Sequence, residues 1–232
     1  MTEHDYRTTR AYSVSDLNEL DRLMKGELPW ATYWHARYYG MPYHITDPKI
    51  LRFGSTLHQM ALEPDKPVVD EWHNVDEWER LYRMEKQLTP YIDQVFIKYP
   101  CEVELSSTCP ITGLLIKGKV DCLTDEAVVD IKTTSCMKSE SFYATFEKYG
   151  YWRQAAFYLH LTNLERFMFL GIGKKQPHPV FELVANLNGI AIQSGMKQVQ
   201  ALLKRAKLEA EKPDGWLPSS WFRKDLTPAG IE

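Results

Sequence analysis

The chain has no C-x-x-C pair, and its four cysteines, Cys101, Cys109, Cys122 and Cys136, all fall within one stretch. That spacing speaks against a zinc ribbon or a thioredoxin-type redox site, and reduced structural thiols are the expectation. Apolar runs are short: none approaches the roughly 20 residues that a bilayer-spanning helix needs. The opening segment, MTEHDYRTTR, lacks the apolar stretch of a secretory leader, so a cytoplasmic setting without membrane association is expected. An excess of one charge is missing as well. With Lys+Arg 28 against Asp+Glu 31 the net charge is -3, which excludes a uniformly basic coat and confines any polyanion-binding surface to a local patch. There is no internal repeat and no low-complexity segment. What remains is a 44% hydrophobic chain of 232 residues, enough for one large domain or two small ones with a buried core.

The first hundred residues read as helical. Ser13 and Ser15 offer capping hydroxyls to a segment with Leu17, Leu20 and Leu23 at helical spacing, ending near Gly26. A second helix carries Trp30, Tyr33 and Trp34, a third runs from about Pro48 to the breaker Pro64, and a fourth occupies 75–99. From Cys101 the pattern shortens to strand-like runs, EVELSS, LLIKGKVDCL and AVVDIKTT, separated by turns at 110–113 and 124–127. Helices return at 139–149 and 152–163, then strands RFMFLGI and PVFELV, and a long helix from about Asn188 to Glu211. The expected fold is mixed α/β, a central mixed sheet flanked by helices with a helical N-terminal part. Residues 1–212 read as a single domain, and the tail 213–232 is aromatic enough, with Trp216 and Trp221, to dock on the body.

The hairpin from Gly118 to Lys132 carries the most information. Pairing its strands around Asp125 and Glu126 sets Asp121 opposite Asp130, with Cβ atoms about 5 Å apart, close enough for two carboxylates to hold one hard cation. The same register pairs Val120 with Ile131 and Cys122 with Val129, an apolar opposite face, and sets Lys119 opposite Lys132. Strand alternation returns Lys132 to the face of Asp130, about 7 Å along.

Four short motifs stand in order along the chain: Gly54-Ser-Thr-Leu-His58 on a helix, Gly118-Lys-Val-Asp121 and Asp130-Ile-Lys132 on strands, and Gln154-Ala-Ala-Phe-Tyr158 on a helix. In this order they resemble the RecB-like branch of the PD-(D/E)XK nuclease superfamily, closest to RecE (exonuclease VIII)-type phage and prophage exonucleases, over about residues 13–190. The resemblance implies a metal site of His58, Asp121, Asp130 and the backbone carbonyl of Ile131, holding one or two Mg2+ or Mn2+ ions. It implies catalytic roles for Lys132, Asp130, Asp121, Gln154 and Tyr158. Some relatives carry a further acid on the preceding strand, which makes Glu104 a candidate beside Glu102. Lys49, Arg52, Lys119 and Arg153 lie near the motifs and are candidate phosphate contacts.

By the same resemblance the chain would digest linear double-stranded DNA from its ends, 5′ to 3′, in a bacterial host cell. It would act as a homo-oligomeric ring, trimer or tetramer, beside a single-strand annealing protein in DNA recombination. Two alternatives stand beside this reading: an endonuclease of the same superfamily, and a non-catalytic DNA-binding or assembly protein that keeps the fold. An iron-sulfur version needs cysteines near the C-terminus, and none follows Cys136.

Overall fold

The computed structural model describes residues 6, 8–41, 48–68 and 73–222. Helix α1 (Val14–Met24) starts at Ser13, whose hydroxyl caps Asp16 N–H while the Asp16 carboxylate accepts the Ser13 N–H, a reciprocal box that leaves Ser15 outside the cap. Leu17, Leu20 and Leu23 form its buried stripe. Helices α2 (Trp30–Tyr39), α3 (Pro48–Leu62) and α4 (Val75–Tyr91) follow. The fourth helix is shorter than the 75–99 expected. It gives way to a wide π turn over Ile92–Phe96, which begins two residues after Pro90, a residue that lacks an N–H for the α ladder.

Strands β1 (Cys101–Thr108), β2 (Leu115–Leu123) and β3 (Ala127–Thr134) run antiparallel in turn. Short helices α5 (Ser139–Tyr143) and α6 (Phe146–Tyr149) and the longer α7 (Tyr151–Thr162) then cross over to β4 (Arg166–Gly173), which pairs parallel with β3. Strand β5 (Val180–Asn186) closes the sheet antiparallel to β4, and α8 (Ile190–Ala210) ends the regular structure apart from a short 3-10 turn, Ser219–Phe222. The sheet order is β1-β2-β3-β4-β5.

Strand alternation divides the core between the two faces. Val128, Phe167 and Phe169 point to α1, α7 and α8, whereas Val129, Ile131, Leu170 and Ile172 point to α3 and α4. The result is a helix–sheet–helix sandwich with β3 and β4 covered on both sides, as the parallel pair requires. The aromatic tail docks: Trp216 is fully buried in the larger cluster, and its indole N–H donates to Glu19 at 2.9 Å. Pro228 and the last residues lie outside the described part. All four cysteines are free thiols, and among the described residues no helix is long and apolar enough to cross a membrane.

Candidate active site

The site lies where β2 and β3 part. Their ladder has the expected register, Cys122↔Val129 and Leu123↔Val128, but it stops there. Val120 consequently turns to the cluster under α7 while Ile131 stays under α3 and α4, so the continuous apolar face expected through Val120 and Ile131 does not form. In place of a strand carbonyl, the Asp121 carboxylate itself accepts the Ile131 N–H at 2.7 Å. The parting also removes the expected meeting of Lys119 and Lys132. Lys119 instead pairs with Glu102 on β1, and Lys132 with Asp130, Nζ to Oδ2 2.6 Å.

His58 enters from α3, with Nδ1 3.4 Å from Asp121 Oδ2. Gly54 stands one turn earlier, where an added Cβ would meet the Thr133 hydroxyl of β3 at an ordinary 3.7 Å. The acid that joins them is Glu102. His58, Glu102 and Asp121 each present a ligand atom, all within 4.8 Å of one another. Glu104 faces Lys119 in the β1/β2 register, and its charge acts on Tyr6 and Lys117. Both acids share strand parity, and the register alone sets Glu102, between Cys101↔Cys122 and Val103↔Val120, across from Asp121. Glu102 takes this place in a left-handed backbone conformation, φ 55°, which is uncommon for a residue with a Cβ and clusters at functional sites.

Two carboxylates in one site carry opposite shifts. Burial pushes Asp130 up, only partly countered by the Lys132 ammonium, and Asp121 adds repulsion, leaving it at about 6. Burial pushes Asp121 up too, but His58, Lys132 and the Ile131 N–H together outweigh it and hold this carboxyl below its usual value. Burial pulls Lys132 down, and the charges of Asp130 and Asp121 more than reverse this. For His58 the same contest, burial against Asp121, also ends in a raised value. The pattern is one firmly ionised acid, one poised acid and a lysine that stays cationic.

Helix α7 completes the cluster. Gln154 Nε2 donates to Asp130 Oδ1 at 2.8 Å, and its side chain favours the ionised form of the Tyr158 phenol, though burial outweighs this and raises that group. Tyr158 is buried, stacked on Phe167, with its ring over Gly118. One residue that the motifs did not point to joins them: the Lys132 ammonium lies 5.2 Å from the centre of the Tyr151 ring. Tyr151 stands three residues before Gln154, on the same helical face, a spacing that could have flagged it. Arg153 does not face the site. It is buried against Asp21, Asn18 and Gln198, which makes it a tie between α7, α1 and α8 rather than a phosphate contact. Lys49 and Arg52 are exposed on the first turns of α3.

The donor set suits a small hard divalent cation: two or three carboxylates with one imidazole, the last favouring manganese somewhat over magnesium. Asp130 Oδ2 is buried with the Lys132 ammonium, 2.6 Å away, as its close partner, and a carboxylate oxygen with one such contact retains a lone pair for such an ion. His58, Glu102 and Asp121 would be the first holders. Asp130 lies outside that group, its Oδ1 engaged by Gln154.

A helix-flanked mixed sheet with an acid, an acid-x-Lys strand and a Gln-bearing helix converging at a parted hairpin is a PDDEXK-like fold. Residues 101–214, just under half of the chain, match the family model described as "PDDEXK-like domain of unknown function (DUF3799)". Among solved structures, the chain is similar to "Putative exonuclease" from Eubacterium rectale: 18% identity, TM-score 0.64, covering 93% of this chain and 89% of that one. It is also similar to LHK-Exo of Laribacter hongkongensis in complex with dAMP, at 16% identity and TM-score 0.40 over 90% and 94% of the chains. A phage related exonuclease from Haemophilus somnus shares 9% identity, at TM-score 0.39 over 65% and 78%. No curated protein matches.

Proposed function

We propose that this chain is a divalent-metal-dependent deoxyribonuclease that degrades linear duplex DNA from its ends. The observation that carries this reading is the convergence of Asp121, Asp130 and Lys132 with His58, Glu102 and Gln154 at the parted β2/β3 hairpin. A scaffold that only bound DNA would have no need to hold a lysine ammonium 2.6 Å from a buried carboxylate while a second ionised acid waits beside a histidine.

When bound, Mg2+ or Mn2+, as one or two ions, supplies Lewis-acid polarisation of the phosphate and a lowered pKa for attacking water. The protein's own residues do the rest. Asp121, fixed by the Ile131 N–H, offers its charge in a constant direction. Lys132 is held protonated, so it does not act as a base; it orients water and counters the charge that grows on the phosphate. Gln154 fixes the rotamer of Asp130, Tyr158 fixes Gln154, and the Tyr151 ring limits the sweep of the ammonium. The Ile131 carbonyl is retained as a proposed further ligand, and Lys49, Arg52 and Lys119 as proposed backbone contacts.

The finer reading rests on the motif resemblance to RecE-type exonucleases: 5′ to 3′ polarity, a trimeric or tetrameric ring, and a single-strand annealing partner in recombination. One time course tests the proposal. Linear duplex labelled at either end is digested with magnesium, with chelator, and beside the same DNA as a covalently closed circle. Metal-dependent loss of the 5′ label first, with the circle spared, is the expected result. Cleavage of the circle would favour the endonuclease alternative, and no cleavage by a metal-loaded chain would overturn the enzyme reading.

A further inference from the structure

A second charged cluster stands on the α3/α4 side of the sheet, around the helix that delivers His58. Phe53, buried next to Gly54, has Lys174 Nζ 5.6 Å and the Arg80 guanidinium carbon 5.7 Å from its ring centre. The two cations come from different elements, Lys174 from the exit of β4 and Arg80 from α4. Among the described residues neither side chain has an ion pair or hydrogen bond. One turn along α4, Arg83 pairs with Glu79, and on β4 Arg166 pairs with Glu126.

Both cations lean on one ring, and the Lys174 amine feels the Arg80 guanidinium as a like charge. Burial, and then Arg80, push the Lys174 amine below its ordinary value. An anion shared between them would relieve that repulsion, and phosphate geometry suits a guanidinium beside an ammonium. The cluster is also fixed to the reaction centre. Lys174 N–H donates to the Thr134 carbonyl at 2.7 Å, two residues beyond Lys132 on β3. The following turn is anchored by buried His178, whose Nδ1 lies 2.9 Å from the Gly173 carbonyl. Phe53 itself is on the helix that delivers His58.

We infer that Lys174 and Arg80, with Phe53 as floor, form a phosphate-binding subsite that holds a DNA phosphate near the one being cleaved. The inference rests on the nuclease reading and adds to it residues that none of the motifs contains. The phosphate could be an internal phosphodiester or the 5′-terminal monoester, and the two share this chemistry.

The test measures affinity of the full chain, in chelator, for a short duplex bearing either a 5′-phosphate or a 5′-hydroxyl, across a range of salt. Each phosphate contact contributes about 0.9 to the slope of log affinity against log salt. The Lys174→Gln/Arg80→Gln double variant should lose about one to two units of slope, while Lys174→Arg/Arg80→Lys keeps the wild-type slope and reports on folding. Equal loss on both duplexes assigns an internal phosphate, and loss confined to the 5′-phosphate duplex assigns the terminal one; both support the subsite. Wild-type slope in the glutamine double variant, with normal binding and digestion by the parent chain, overturns the subsite alone. Failure of the parent chain to bind duplex overturns the subsite and the nuclease reading together.

Discussion

Acid should displace the metal from this site well above the pH at which an ordinary carboxylate would let go. Asp130 stands at about 6 rather than 3.8 in the metal-free protein because burial disfavours its charge, and His58 is raised as well, Asp121 outweighing its burial. Those protons must leave before a cation can use the atoms that carry them. For Asp130 alone, a change from about pH 7.5 to about pH 5 lowers affinity roughly tenfold, about 1.4 kcal/mol, whereas at the ordinary carboxylate value the change would be negligible. His58 steepens the loss. Calorimetric titration with Mn2+ in two buffers of different ionisation heat gives affinity and the number of protons released. Asp130→Asn should flatten the part of the curve near pH 6. An affinity that stays level from about pH 7.5 to about pH 5, with no proton released, would refute the reasoning. Folding of the metal-free chain carries the opposite sign: the folded state holds the Asp130 proton more tightly, so stability present below about pH 4 is lost as pH rises through about 6.

Lys132→Ala and Asp121→Asn should each abolish digestion while leaving the circular dichroism spectrum unchanged, and metal-dependent cleavage by both purified variants would contradict the site. Tyr158→Phe keeps the ring that covers Gly118 and removes only the phenol beside Gln154, so a partial loss of rate with normal stability is expected. Gly118→Ala would place a Cβ 2.8 Å from a Tyr158 ring carbon and 2.9 Å from a Leu161 methyl. Overpacking of that kind costs about 1–3 kcal/mol, to be seen as a lower urea midpoint. Trp216→Ala empties a fully buried position and takes the indole donor from Glu19, which keeps the Ser219 N–H and hydroxyl; a loss of about 3–5 kcal/mol in urea unfolding is expected, with no direct effect on metal affinity.

Element identity was legible because hydrophobic periodicity is local. The Leu17, Leu20, Leu23 stripe, the AVVDIKTT strand and the 190–210 helix are each written within one segment, and the turn Thr124–Ala127 fixes the hairpin register over only a few residues. The pairing of Cys122 with Val129 was therefore readable, and with it the nearness of Asp121, Asp130 and Lys132. The end of the ladder was not, since parting strands lose hydrogen bonds that only tertiary packing, and the Asp121 carboxylate on Ile131 N–H, replaces.

The same limit applies to single side chains. Glu102 and Glu104 have one strand parity and equal chemistry; the β1/β2 register, set across a longer loop, chose Glu102 and left Glu104 opposite Lys119. Arg153 sits beside Gln154 in sequence, yet successive helix positions point about 100° apart, so one reaches Asp130 and the other is buried against α1 and α8. The sequence by itself determined the helices, the strands and the acid, acid and lysine of the hairpin. Only the fold decided which third acid meets His58, how burial drives the two aspartates to opposite sides of their usual pKa, and that Lys174 and Arg80, far apart in the chain, share one ring.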